Sequence, residues 1–292
     1  TELVKGPYLE SLPDFEKGRS LKGLVSDGVL STAWSSLART GHDKLLDRKL
    51  HKHQDDAILR ASKGNYLVAT GTGSGKTESF LYPLIDKLLR ADIRNSPGVR
   101  AIIVYPLNAL ANDQLYYRIA PLLLRELGDP GITFGRFTGQ IRSDVNRAEE
   151  ERRLLDNPAL VEALGNPKSI SPSWLLSRAE MLQTPPQILV TNYAMLEHLL
   201  LLPRNRALFA GADLQFLVLD EVHSYAGAQA IEVAFLLRKL KTRLGINQGR
   251  IRSIGTSASL DDSRLDELVE FAENLFGESF GVGTIVNIIG CG

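Results

Sequence analysis

The chain has 292 residues with 34 Lys+Arg against 34 Asp+Glu, so no global basic excess exists to collect the phosphates of a nucleic acid, and any polyanion surface must be local. Apolar residues make up 43% and charged residues 23%, which excludes a disordered chain and suffices for a sizeable core. A single cysteine, Cys291, excludes a disulfide framework and a thiolate metal site, and with no 18-residue apolar run and no apolar signal core the expectation is a cytoplasmic chain with no membrane partner.

Residues 1–30 carry Gly6-Pro7, Pro13, Gly18, Gly23 and Gly28 and read as a lightly structured lead-in. Ser31 is placed to N-cap a helix over 32–46, and a shorter helix follows over 54–61. From there short β-rich runs at 66–69, 101–105, 132–137, 187–190, 214–219 and 250–254 alternate with helical patterns at 77–90, 107–127, 193–202, 229–244 and 260–276. Nearly continuous apolar runs are those of strands buried on both faces of a parallel sheet, and the alternation predicts a doubly wound α/β domain. The stretch 141–186 interrupts this rhythm with the mixed-charge run Arg147 to Arg153, the breakers Pro158, Gly165, Pro167 and Pro172, and a short helix over 173–182. It reads as a helical insertion on the domain surface, with its charges solvated. The expected organisation is an extension over 1–47, a nucleotide domain over 48–276 and a C-terminal tail over 277–292.

Gly71-Thr72-Gly73-Ser74-Gly75-Lys76-Thr77 follows one expected strand and opens a helix, the context a phosphate-binding loop requires. Glycines let the backbone turn its N–H groups toward phosphate oxygens, and the helix N-terminus adds a positive dipole end. Ser74, Gly75 and Glu78 complete the expected cradle, Lys76 would reach the terminal phosphates, and the Thr77 hydroxyl would ligate Mg²⁺. Thr70 stands where many nucleotide kinases keep glycine.

A second apolar strand ends in Asp220-Glu221-Val222-His223. Carboxylates at the C-terminal end of a central strand lie beside such a loop in a doubly wound sheet. Asp220 is placed to hold Mg²⁺ and Glu221 to orient and deprotonate an attacking water. His223, directly after them, is expected in a relay role.

With these residues the chain resembles superfamily 2 helicases of the DEAD/DEAH group, with Asp220 to His223 as the box, and it looks closest to large bacterial helicases of DNA repair and phage defence. The resemblance runs in order from about residue 50 to 260. It implies a three-layer RecA-like nucleotide-binding domain with a mostly parallel central sheet, ATP and Mg²⁺ as cofactors, and ATP hydrolysis coupled to nucleic-acid movement. Gln54, 22 residues before Lys76, stands at the adenine-sensing position. Asn108 and Gln114 belong to a segment that touches the sugar-phosphate backbone, as do Thr138-Gly139 and Thr191-Asn192. Ser257-Ala258-Ser259 stands where the family has Ser-Ala-Thr, so Ser257 and Ser259 are expected to couple hydrolysis to strand separation. The implied partners are nucleic acid, DNA ahead of RNA, and a second RecA-like lobe in cis or in trans.

That second lobe supplies arginines to the transition state, and no arginine-bearing segment of this kind follows residue 260. The expectation is therefore a truncated product, an excised piece or a chain paired with a partner, binding ATP–Mg²⁺ with weak or no turnover alone. Two other readings stay open on the residues: a small-molecule kinase or metabolic ATPase with 141–186 as a basic lid carrying Arg142, Arg147, Arg152 and Arg153, and a regulatory or immunity fragment that holds nucleotide only as a structural ligand.

Overall fold

The computed structural model describes residues 15–71, 74–91, 96–139, 141, 145–258, 265–281 and 285–287. In chain order a strand β1 (Lys17–Ser20) leads into helix α1 (Leu21–Ser26), a 3₁₀ turn at Thr32–Ser35, α2 (Ser36–Arg39), α3 (Asp43–Asp47) and β2 (Lys49–His51). Then come α4 (Lys52–Ala61), β3 (Tyr66–Ala69), α5 (Lys76–Arg90), β4 (Ala101–Tyr105), α6 (Asn108–Gln114), β5 (Phe134–Arg136), α7 (Arg147–Leu155), α8 (Pro158–Ala163), β6 (Trp174–Leu175) and α9 (Arg178–Gln183). The order closes with β7 (Ile188–Asn192), α10 (Tyr193–Leu201), β8 (Phe216–Leu219), α11 (Ala228–Arg243), β9 (Arg252–Ser257), α12 (Leu265–Phe276) and β10 (Ile285–Asn287). Among the described residues no helix is long and apolar enough to cross a membrane.

Eight strands form one parallel sheet in the order β10-β3-β9-β8-β4-β7-β5-β6. Alternate residues of each strand face opposite sides: Tyr66, Val68, Ile103 and Val218 face α4, α5 and the N-terminal helices, while Leu67, Ile102, Leu189 and Leu217 face α10, α11 and α12. The result is the expected α/β/α arrangement of three layers. The short ribbon β1–β2 is antiparallel and separate.

The segments around the sheet depart from the sequence expectation at particular residues. The lead-in over 1–30 forms, in its described part, β1 and α1, and Leu21 and Leu24 are buried. Ser31 caps the 3₁₀ turn by accepting from the Ala33 N–H, but the helix expected over 32–46 is cut. Gly41 takes φ 77°, and the Thr40 hydroxyl donates to the Glu126 carbonyl at 2.5 Å, which favours a corner there. The 107–127 helix widens into π-helical turns at Leu115–Ile119 and Pro121–Glu126, where Pro121 removes one donor from the i−4 ladder.

The 141–186 stretch is more deeply embedded than expected. Part of the helix read over 173–182 is instead β6, because Trp174 stacks on Phe134 of the neighbouring strand with ring centroids 5.5 Å apart. Its charge run is not all solvated: Arg147 donates to the carbonyls of Trp174, Ile170 and Ser171 and to Glu180, and Glu150 is buried beside Arg136. Gly135 admits Met181 of α9, since a Cβ there would meet the Met181 sulfur at 2.7 Å. The expected tail over 277–292 contributes β10, whose Ile285 lies opposite Leu67.

One contact seats the phosphate-loop strand on its helix. Pro83 lies inside α5 and has no N–H, so the carbonyl of Ser79, four residues earlier, loses its helical donor. The hydroxyl of Tyr66, fully buried in β3, donates to that carbonyl at 2.8 Å. Removing the hydroxyl by Tyr66→Phe leaves a buried acceptor unmet and is expected to cost about 1–3 kcal/mol in urea denaturation. Pro83→Ala returns an N–H, so the double variant is expected to recover most of that loss. Additive losses would show that the two groups do not share the acceptor.

Candidate functional site

Parallel strands place the C-terminal ends of β3, β9 and β8 side by side, with β9 between the other two. The chain leaves β3 through the glycine-rich loop and enters α5 at Gly75, which takes φ 79°. Another residue would be strained at that φ, and its Cβ, 2.4 Å from the Gln54 side-chain nitrogen, would displace the Gln54 amide. Gln54 Nε2 donates to the Gly75 carbonyl at 3.0 Å, and Gln54 Oε1 accepts from the His51 N–H at 2.9 Å. At the base of the loop the hydroxyls of Thr70 and Ser74 lie 2.7 Å apart. Thr72 and Gly73 lie outside the described residues.

The acidic end of β8 meets this loop across β9. Lys76 Nζ lies 2.7 Å from Glu221 Oε1, a pair formed by residues 145 apart in sequence. Glu221 itself sits in the left-handed region at φ 51°, a conformation that costs a non-glycine residue about 1–3 kcal/mol and concentrates at functional sites. The Thr256 hydroxyl accepts from the Glu221 N–H at 3.0 Å and donates to the Asp220 carboxylate. Asp220 is buried, and burial pushes its carboxyl up to about 6; the Thr256 hydroxyl bond and the Lys76 charge favour the ionised form, whereas the Glu221 charge adds to the rise. His223 Nδ1 lies 3.2 Å from both the Ser257 hydroxyl and the Ala258 N–H, and 3.3 Å from Glu221 Oε2. Ser259 lies outside the described residues.

A cleft of about 690 Å³ opens above these groups, lined by Gln54, Ser74 to Glu78, Gln114, Asp220 and Glu221. Thr77 Oγ1 donates to Gln114 Oε1 at 2.7 Å. A lysine at a helix start, paired with one of two neighbouring carboxylates, is an arrangement that suits a polyphosphate with a divalent cation. Thr77 and Asp220 offer the hard oxygen donors that Mg²⁺ takes alongside phosphate oxygens, and a buried carboxylate that resists ionisation is relieved when a cation arrives.

The expected backbone-contacting residues are divided. Asn192 Nδ2 donates to Asn108 Oδ1 at 2.5 Å, joining the start of α6 to the end of β7, and Asn192 also caps α10 by accepting from Met195 N. Gly139 is exposed. Thr138 and Thr191 are fully buried, and the Thr191 hydroxyl is committed to the Phe137 carbonyl at 2.7 Å; their hydroxyls do not face a groove. Gln114 lines the cleft beside Thr77, at the other end of α6 from Asn108. Four cations on the cleft wall were not singled out from the sequence: Lys17, Arg48 and Lys49 of the β1–β2 ribbon region, and Arg118. No local motif marks them, because the ribbon that carries three of them forms only by tertiary pairing. Thr256 was missed because the strand was expected to end at 254; the run of small residues that continues to Ser257 was the available signal.

The sequence pattern of the DEAD/DEAH box helicase family matches residues 51–127 and 160–268, more than half of the chain. Druantia protein DruE of Escherichia coli is 31% identical over 95% of this chain and 19% of its own length. An ATP-dependent helicase Lhr-Core of Sulfolobus acidocaldarius is 29% identical over 86% of this chain and 25% of its own. The chain thus spans about a fifth to a quarter of these relatives. Among solved structures, DUF1998 helicase MrfA bound to DNA shares the fold at TM-score 0.60 and 21% identity over 95% of this chain and 32% of that one. DEAD-box helicase Mss116 bound to ssRNA and UDP-BeF does so at 0.58 and 17%, over 91% and 45%.

The Asp220 environment has a consequence for stability. Its folded value of about 6 lies above the ordinary 3.8, so ionisation opposes folding: the penalty is absent below about pH 3.8, where the carboxyl is protonated in both states, and complete above about pH 6. Asp220→Asn removes it and is expected to stabilise the nucleotide-free chain at pH 8 by up to about 3 kcal/mol. In thermal melts the gap to wild type should close as the pH falls toward 4. A gap independent of pH would remove burial of the charge as the cause.

Proposed function

The chain belongs to the DEAD/DEAH box helicase family, and on that premise we propose that it is the ATP-binding motor lobe of a DNA helicase or translocase. The observation that carries the proposal is the 2.7 Å contact between Lys76 and Glu221, which draws the phosphate loop and the acidic strand end into one cleft. In this reading ATP enters that cleft with Mg²⁺ against Thr77 and Asp220. Lys76 leaves Glu221 for the terminal phosphates and so frees the carboxylate to take a proton from the attacking water. His223 and Ser257, 3.2 Å apart, carry the change from Glu221 toward the end of β9.

Asn108, Asn192 and the exposed backbone at Gly139 offer hydrogen bonds to sugar-phosphate oxygens without reading bases. DNA is taken as the strand from MrfA, which was solved with it. A second lobe closing on the cleft is the proposed source of the arginines that stabilise the transition state. The motor lobe is taken as 48–276 together with β10, preceded by the 1–47 extension. Two other readings are weaker: neither a small-molecule kinase nor a structural nucleotide site calls for His223 and Ser257 to be joined.

Two substitutions test this reading through a fluorescent ATP analogue and phosphate release. Lys76→Ala is expected to weaken nucleotide binding about 10- to 100-fold, the loss of a charged hydrogen-bonding group. Glu221→Gln is expected to keep the nucleotide and lose turnover. Hydrolysis at the wild-type rate by Glu221→Gln would exclude Glu221 as the base, and unaltered binding by Lys76→Ala would remove the nucleotide from this cleft. Competition between DNA and RNA oligonucleotides of one sequence decides the strand.

A further inference from the structure

The sheet has a second opening, at the edge away from the nucleotide cleft. Strands β8 and β9 run toward Asp220 and Ser257 at the cleft, and they begin at Phe216 and Arg252. The five steps from Arg252 to Ser257 span about 16 Å of extended chain. At this far end lies a cavity of about 900 Å³, larger than the nucleotide cleft, bordered by the last turns of α5, the turn after α11 and the Gly28–Leu30 segment.

Two buried carboxylates fix its walls. Asp86 of α5 accepts from the Ser31 N–H at 2.6 Å, the Trp34 indole N–H at 3.1 Å and Arg90 Nε at 2.6 Å, and Arg90 also donates to the Val29 carbonyl. Glu278 pairs with Lys241 of α11 at 2.6 Å and accepts from the Gly249 N–H at 2.9 Å, which holds the turn between α11 and β9. A ligand entering here does not have to order the walls first.

The lining joins apolar surface to unmatched positive charge. Val29, Leu59, Leu244 and Ile246 are half-buried there. Asp86 and Arg90 are paired with each other, and Asp213 is bonded to Gln215. Lys87, Arg250 and Arg252 remain, and among the described residues none of the three has a hydrogen-bond or ion-pair partner for its charged end. Arg252 is half-buried, so burial disfavours its charge while no carboxylate offsets the loss of water. An arriving acid group would relieve it, and the planar guanidinium matches a carboxylate or sulfonate with two parallel bonds.

We propose that this cavity is a second ligand site, for a small amphipathic anion: a carboxylate or sulfonate carried on an aromatic or aliphatic body. The body covers Val29, Leu59, Leu244 and Ile246, and the acid group lies against Arg252, with Lys87 and Arg250 at the rim. The volume is that of a small-molecule site, which favours a compact ligand over a docked protein surface. A polyphosphate fits poorly, because it is best held by converging backbone N–H groups and gains nothing from apolar walls. The site stands apart from the ATP reading, since the two cavities lie at opposite ends of the strands.

The test titrates the chain with 8-anilinonaphthalene-1-sulfonate, an aromatic sulfonate that brightens in apolar surroundings. One saturable site is expected, displaced by octanoate and not by ATP–Mg²⁺. N-phenyl-1-naphthylamine, the same body without the acid group, should bind about tenfold more weakly. Arg252→Gln is expected to weaken the sulfonate about tenfold, with Arg252→Lys in between. Without ligand, Arg252→Gln should melt at or above the wild-type temperature, because it removes a charge that burial opposes; octanoate should raise the melting temperature of wild type and not of this variant. Equal sulfonate affinity in Arg252→Gln and wild type overturns the proposal, as does an uncharged body that binds equally well or displacement by ATP–Mg²⁺. A lowered melting temperature of Arg252→Gln would show that the guanidinium already serves the fold, and would overturn it too.

Discussion

A buried carbonyl without its helical donor seats the strand and helix that carry Lys76 to the candidate cleft. Pro83 strips the Ser79 carbonyl of its partner, and the Tyr66 hydroxyl supplies the replacement at 2.8 Å. Because an unmet buried acceptor is costly, β3 and α5 have one favoured relative position, and the loop between them inherits it. The loop then presents Lys76 toward β8. A proline that would otherwise weaken a helix interior instead directs a hydrogen bond to the strand beneath.

Above that joint the cleft is an arrangement of charges, each disposed by a neighbour. Lys76 is paired with Glu221, Glu221 is fixed through its N–H to Thr256, and Asp220 is bonded to the same threonine. Thr256, in the strand between the two functional strands, therefore organises both acids. The Lys76–Glu221 pair spares each group an unpaired charge in a partly enclosed site, while Asp220 bears an unfavourable burial that a cation would relieve. These features explain why the same residues can be stable without ligand and still favour one.

Much of the fold was legible because its signals are local. Apolar runs such as Ala101–Tyr105 and Phe216–Leu219 have no solvated face to show, which marks a parallel sheet. The candidate site was signalled by two short patterns, Gly71 to Thr77 and Asp220 to His223, whose Lys76 and Glu221 meet in the fold. The departures share a cause. Trp174 belongs to a strand only because Phe134 lies beside it; β10 pairs only because β3 is already in the sheet; and Arg147 is half-buried only because the carbonyls around Ile170 and Trp174 converge on it.

The sequence by itself determined which residue types could hold phosphate and cation, since glycine spacing, a lysine at a helix start and paired acids at a strand end are chemistry written over a few consecutive positions. Tertiary structure alone decided the rest: that Lys76 meets Glu221, that Gln114 faces Thr77 while Asn108 faces Asn192, and that Thr138 and Thr191 turn inward. Those facts depend on strand order and on the direction of helix α6. No local pattern encodes either, because each arises from burying faces contributed by segments far apart in the chain.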